Sequence, residues 1–321
     1  MVLLITNKED ITVDFIVQEL QYRGIPYYRL NTEDIPEVID IDFSITESGS
    51  QYWLHDKKKG VIIDLLGVSA VYFRRPQISD LKHITNISSE ERLYLRSEMA
   101  FVLEGIYKTL REAFWINNVF RIREAENKLY QLQLAKQIGF DIPNSIISNT
   151  STTIKRALAQ NNSEYIIKPI KSGNVCPHNG SKIIFTSQLK KNNIQEERVA
   201  SFPVYIQNEI EKACDIRCIV VKDQVYAAKI DSQISAASKV DWRHTDEFLP
   251  HERIRLPEPI QEKALKMTHQ LGLTYSAIDF VIDKQGNYIF LECNPNGQWA
   301  WIEKRLDYPI SKSIVDVLIG R

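Results

Sequence analysis

Two apolar runs near the C-terminal end, residues 278–283 and 287–292, constrain this chain more than any other feature. They are joined through Asp283-Lys284-Gln285-Gly286-Asn287, a turn-forming sequence that predicts two adjacent antiparallel strands. The second run ends on Glu292 and passes at once into Cys293-Asn294-Pro295-Asn296-Gly297. Such a hairpin sets Asp279, Glu292 and Asn294 near one end of a sheet, where hard oxygen donors can hold Mg²⁺ against phosphate oxygens. A hairpin with solvated acidic ends is the plainer reading of Asp279 alone.

The rest of the pattern is α/β. Residues 2–6 form a short apolar strand, 10–20 have helical spacing, Gly24 ends that helix, and 27–30 read as a strand. Short strands follow at 39–45, 51–54, 61–65 and 68–73, and a helix over 88–114 closes a small mixed domain, residues 1–115. A helix over 124–138 stops at Gly139, and Pro143 starts an extended run over 145–148. A helix over 152–160, a strand over 165–168 and a strand over 183–186 complete a central lobe, residues 116–203. From 204 the strands lengthen, at 204–207, 215–221, 224–230 and the two above, with helices over 259–271 and 310–318. Residues 204–321 are therefore expected to form an antiparallel-sheet lobe.

Composition excludes several classes of function. The 321 residues carry 40 Lys+Arg against 41 Asp+Glu, a net charge of −1, so no bulk positive field holds a nucleic acid or a membrane surface. No apolar run approaches the length that crosses a bilayer, and the start is not a signal peptide, which predicts a cytoplasmic protein. Cys176, Cys214, Cys218 and Cys293 make no paired zinc pattern and no disulfide framework; they read as reduced and structural.

The order Asp279, Glu292, Asn294 on two strands resembles the metal-binding strands of the ATP-grasp superfamily, and the likeness extends over the last two-thirds of the chain. It implies an ATP-grasp fold, with a pre-ATP-grasp α/β domain, a central lobe and a C-terminal lobe, and the cofactors ATP and Mg²⁺. On that resemblance Lys128 and Lys168 contact the nucleotide. Gln207, Asn208, Glu209, Ile210 and Glu211 resemble the hinge whose backbone reads adenine and whose acidic residue meets ribose. The loop Gly173–Gly180 has the wrong spacing for a P-loop, yet a loop between strands can cover phosphates with backbone N–H groups; a surface hairpin is the alternative.

Tyr28-Arg29-Leu30-Asn31, Tyr72-Phe73-Arg74-Arg75-Pro76, Asp215-Ile216-Arg217, Asp241-Trp242-Arg243 and the stretch from Asn294 to Glu303 are similar, more narrowly, to the graspetide (microviridin-type) peptide macrocyclases. That resemblance implies activation of a precursor-peptide carboxylate as an acyl phosphate, followed by attack of a hydroxyl or amine. Arg217 can then hold a carboxylate bidentately, and Asp215, on the same strand face, can accept the nucleophile's proton. An ion pair of Asp215 with Arg217 or Lys229 is an equal alternative. Arg243, Arg74 and Arg75 can guide an acidic core peptide, and Glu196 and Glu197 lie where a leader is recognised, or simply on a solvated turn. Trp299 and Trp301 read as packing residues, and nothing orients His178 or His244 as a base. A homodimer is expected from the family. Two other readings stay open: a carboxylate–amine ligase adding an amino acid, and a non-catalytic, ATP-responsive peptide-binding module.

Overall fold

The structure is a computed structural model that describes residues 1–160, 164–171, 174–175, 182–189, 196–235, 238–245 and 247–320. In chain order the elements are β1 (Val2–Thr6), α1 (Ile11–Tyr22), β2 (Tyr27–Asn31), β3 (Ile39–Thr46), β4 (Gly49–Asp56), β5 (Val61–Asp64), β6 (Ala70–Phe73), α2 (Ser89–Thr109), β7 (Phe114–Ile116) and α3 (Val119–Ala125). Next come α4 (Lys128–Ile138), β8 (Ser145–Ser148), α5 (Ser151–Gln160), β9 (Tyr165–Lys168), β10 (Asn174–Val175), β11 (Lys182–Ile183), β12 (Ser187–Gln188), α6 (Glu196–Ser201) and β13 (Val204–Asn208). The last third holds β14 (Lys212–Val221), β15 (Gln224–Ile230), β16 (His251–Ile254), α7 (Glu258–Gln270), β17 (Tyr275–Asp283), β18 (Tyr288–Asn294), α8 (Ala300–Leu306) and α9 (Ile310–Leu318). Most of the loop Gly173–Gly180, with Cys176 and His178, lies outside the described residues. Among the described residues no helix is long and apolar enough to cross a membrane.

The chain divides into two compact units. The first comprises Met1–Ile122, Leu273–Tyr275 and Gln298–Arg321. Its parallel sheet has the order β2-β1-β6-β7, and β1 is buried along its whole length, which is why it reads as an unbroken apolar run rather than an alternating one. Leu3, Ile5, Leu30, Val71 and Phe73 form the core with Leu103, Ile106 and Tyr107 from α2. Ser88 and Glu91 close a capping box that sets the start of α2. The expected helix over 88–114 ends at Thr109 instead. Phe114–Ile116 pairs in parallel with β6, Val71 opposite Trp115, because the sheet's last strand buries Trp115 and Ile116 while Phe114 stays exposed. Trp299 is fully buried in this unit and donates from Nε1 to the Tyr72 hydroxyl at 3.0 Å, the packing role expected of it.

The second unit comprises Arg123–Gly272 and Ser276–Gly297. Among the described residues its sheets have the orders β12-β9-β13-β8, antiparallel throughout, β16-β15-β14-β17-β18, and β10-β11. The expected hairpin is β17 and β18, with Asp279 opposite Glu292 and Ala277 opposite Asn294. The register shifts between Asp279 and Phe280, with Leu291 the extra residue on β18, and the bulge bends that strand just before Glu292. Helix α4 starts on the Asn127 cap and ends on Gly139 at φ 94°, as the Gly spacing predicts. Phe140, just beyond, packs on Phe280 and Phe290 at 5.5 and 5.3 Å between ring centroids. Gly297 closes the turn after β18: a Cβ there would meet the Ala277 Cβ at 2.3 Å.

Candidate active site

Alternation along a strand places Glu292 and Asn294 on one face of β18 and Cys293 on the other, in the core. The cross-strand register then sets Asp279 beside them. Asn294 Nδ2 lies 3.2 Å from Asp279 Oδ2 and 3.2 Å from Glu292 Oε1, so the amide bridges the two carboxylates. The three residues expected to act together are in contact.

Four cations surround this cluster, all from the second unit. Lys128 opens α4 and approaches Glu292 Oε2 at 3.5 Å, while also donating to the Pro169 carbonyl at 3.1 Å. Arg243 Nη1 lies 3.7 Å from Glu292 Oε1, and its Nε and Nη2 donate to Asp241 at 2.8 and 2.9 Å. Arg217, on β14, reaches both Asp279 oxygens from Nη1 at 3.0 and 3.1 Å, with its guanidinium carbon 5.9 Å from the Trp242 ring centroid. Lys168, at the end of β9, is close enough for its charge to act on Glu292. The approaches to Glu292 exceed the about 2.7–2.9 Å of a tight charge-assisted bond.

These surroundings polarise the titratable groups in opposite directions. Burial alone would raise the Glu292 carboxyl, but Lys128, Arg243 and Lys168 outweigh it and hold it down to about 2. Burial pushes Asp279 up to about 7, with Arg217 opposing and Glu292 adding repulsion. Burial pushes Lys168 down to about 8 against the attraction of Glu292. Asp241 sits below its ordinary value: burial works against this, and Arg243 prevails. Two neighbouring carboxylates driven apart in this way are a common mark of a working site.

Asp215 is buried on β14, but its partners are Lys212, at 2.6 Å, and the Ser232 hydroxyl. Neither expected ion pair forms: Arg217 turns to Asp279 and Lys229 to Glu252. Burial still raises the Asp215 carboxyl. In the hinge segment the Gln207 side chain points inward, donating to Ser145 Oγ and Tyr205 OH at 2.9 Å each. The backbone N–H groups of Asn208 and Glu209 donate to the carbonyls of Asn144 and Glu164, and Gln188 holds the Glu209 carboxylate. Ile210 is half-buried, and the Glu211 carbonyl accepts from Lys284 N–H.

The remaining candidates have other partners or lie on other elements. Arg74 is 1% exposed in the first unit and pairs with Asp10 at 3.1 Å, so it serves that core rather than a peptide surface; Arg75 is exposed, with its carbonyl bound by Asn7. Glu196 opens α6, and Glu197 is exposed on it. His244 stacks on Phe185 with ring centroids 4.7 Å apart. Sequence reasoning missed Lys212, Ser232, Asp241 as the brace of Arg243, and Gln131, whose side chain bonds both backbone groups of Cys293. Only Asp241, two residues before an arginine, carried a local signal.

The donor set fits a hard divalent cation: two carboxylates and a carboxamide that can present its oxygen after a flip suit Mg²⁺, which takes few protein ligands beside phosphate oxygens. A cation there also relieves the repulsion from Glu292 that adds to the raised Asp279 value. The anion side has its own mark. Arg217 Nε is buried without a hydrogen-bond partner among the described residues, a donor suited to an incoming phosphate or carboxylate oxygen.

Residues 1–123 match the family described as the MvdD pre-ATP grasp domain, and residues 125–318, more than half of the chain, match the RimK-like ATP-grasp domain. The chain is 28% identical over 209 residues to a probable alpha-L-glutamate ligase of Histophilus somni (strain 2336), covering 64% of this chain and 67% of that one. It superposes on a Chryseobacterium gregarium RiPP-associated ATP-grasp ligase, solved in complex with ADP and a leader and core peptide, with a TM-score of 0.90 at 24% identity, covering 99% and 96% of the two chains. The macrocyclase MdnB from Microcystis aeruginosa MRC gives a TM-score of 0.81 at 27% identity, covering 99% and 98%.

Proposed function

The chain belongs to the RimK-like ATP-grasp family and is an ATP-grasp ligase, and on that premise we propose that it cyclises a ribosomally made precursor peptide. The observation that carries the reading is the convergence of Lys128, Lys168, Arg217 and Arg243 on the Asp279–Glu292–Asn294 cluster. A triphosphate and a peptide carboxylate repel each other, and four cations at one strand end offset that repulsion. Mg²⁺ held by Asp279, Glu292 and Asn294 adds charge neutralisation of the phosphates. The peptide likeness supports the substrate class, since a similar fold has been solved with a leader and core peptide.

In this reading Lys128 and Lys168 hold the phosphates and residues 207–211 hold the nucleoside. Arg217 orients an Asp or Glu side chain of the peptide, whose oxygen attacks the γ-phosphorus as the bond to the ADP oxygen breaks. A Thr or Ser hydroxyl, or a Lys amine, then attacks the acyl carbon and phosphate leaves; the nucleophile's proton passes to Asp215. The product is an ester or an amide. Arg243, held in place by Asp241, steers the acidic core peptide, while α6, with Glu196 and Glu197, meets the leader. We also propose a homodimer, supported by Tyr94 and Phe101 of α2, two turns apart on one face of the helix and 63% and 72% exposed.

A second reading, addition of an amino acid to a peptide or protein, rests on the similarity to a glutamate ligase. Mass spectrometry of an acidic peptide rich in Thr, Ser or Lys, from a gene beside this one, separates the two after incubation with protein, ATP and Mg²⁺. Loss of about 18 Da per bond closed marks cyclisation by carboxylate activation. Gain of an amino-acid residue marks the ligase, and ADP release with the peptide unchanged overturns both substrate assignments.

A further inference from the structure

Gln131 is 3% exposed and its amide is fully engaged. Nε2 donates to the carbonyls of Ala125 and Cys293 at 2.6 Å each, and Oε1 accepts from the Cys293 N–H at 2.9 Å. One side chain therefore takes both backbone groups of a single strand residue, as a neighbouring strand would. β18 is the last strand of its sheet, and its outer edge is otherwise met by Asp141, whose carbonyl accepts from Phe290 N–H at 2.8 Å. The residue clamped is the one between Glu292 and Asn294. The clamp belongs to α4, whose first residue is Lys128, three positions back and so on the same helix face. Its third bond ties in Ala125, the last residue of α3.

We infer that Gln131 is a positioning residue: it locks the strand end bearing Glu292 and Asn294 to the helix bearing Lys128, so the spacing between the acidic cluster and that cation is set before nucleotide arrives. The inference rests on the reading of Asp279, Glu292 and Asn294 as the Mg²⁺ ligands. Lys128 and Glu292 stand 3.5 Å apart on two elements, and the Gln131 amide joins those elements one helical turn from Lys128 and one residue from Glu292. An apolar side chain of the same length would leave the strand end free to move against α4. Residues that support metal ligands in this way set metal affinity by about 10–100-fold.

The test is calorimetric titration of ADP into the full chain across a series of MgCl₂ concentrations, comparing wild type with Gln131→Met and Gln131→Glu. The expected result is that each variant needs at least about tenfold more Mg²⁺ for half-maximal enhancement of ADP binding, while Mg²⁺-free ADP affinity stays within about threefold, a change of under 1 kcal/mol. A variant that melts earlier yet keeps the wild-type Mg²⁺ dependence overturns the inference and leaves the metal reading standing. Mg²⁺-independent ADP binding by the wild type overturns the metal reading and the inference with it. If neither variant folds, hydrogen exchange of the wild type decides. The Cys293 amide is expected to be protected in the ligand-free protein, and protection gained only with Mg²⁺ and ADP overturns the inference.

Discussion

Replacing Glu292 with Gln removes one charge at nearly constant volume, and the structure sets the size of the effect. The carboxyl is held down to about 2 from an ordinary 4.5, because Lys128, Arg243 and Lys168 outweigh its burial. At about 1.36 kcal/mol for each tenfold change in proton affinity, the charged form stabilises the folded, ligand-free protein by about 3 kcal/mol. The folded value is depressed, so this stability is fully present above the unfolded value of 4.5 and is lost as pH falls through about 2. Urea unfolding of wild type and Glu292→Gln, without nucleotide, at pH 7, 6, 5, 4 and 3.5 reads it directly. The variant should be less stable by about 3 kcal/mol from pH 7 to pH 5, with the gap narrowing to about 2 kcal/mol at pH 3.5. Its turnover should fall at least about 100-fold. Equal stabilities at pH 7, or a gap that does not change with pH, would refute the argument that three cations hold this carboxylate.

Three other outcomes are expected. Arg217→Lys keeps the charge facing Asp279 but loses the planar fork, so kcat with a peptide substrate should drop about 100-fold while ADP affinity changes little; unchanged kcat excludes a carboxylate-orienting role. Lys168, pushed down to about 8, is charged below that pH and neutral above it. Calorimetric ADP affinity should therefore decline as pH rises from 7 past 8, and the decline should vanish in Lys168→Met; a flat wild-type profile to pH 9 counts against phosphate contact. Phe101→Glu, on the exposed side of α2, should give a monomer in light scattering with an unchanged circular dichroism spectrum; a wild-type chain that is itself monomeric removes the dimer proposal.

Local chemistry made much of this chain legible. The apolar β1 run, the Gly139 stop of α4, and the β17–β18 turn with Glu292 and Asn294 beyond it depend on residues within a few positions of one another, where backbone preference and strand alternation decide the outcome. The family's residue order then pointed to Lys128, Lys168, Arg217 and Arg243. Partner choice was not legible. Arg217 takes Asp279, 62 positions away, and so leaves Asp215 to Lys212 and Ser232. Arg74, in a motif that suggested a peptide surface, is buried against Asp10. Phe114–Ile116 became a strand because β6 offers it a free edge. Gln131, in mid-helix, carries no local signal of its partner Cys293, 162 positions on. The sequence by itself determined the β17–β18 hairpin with its acidic end, the β1 run and the stop of α4. Only the tertiary structure decided which charge meets which, because a buried ion or amide is satisfied by whatever folding brings within about 3 Å of it, and that distance is not written in sequence separation.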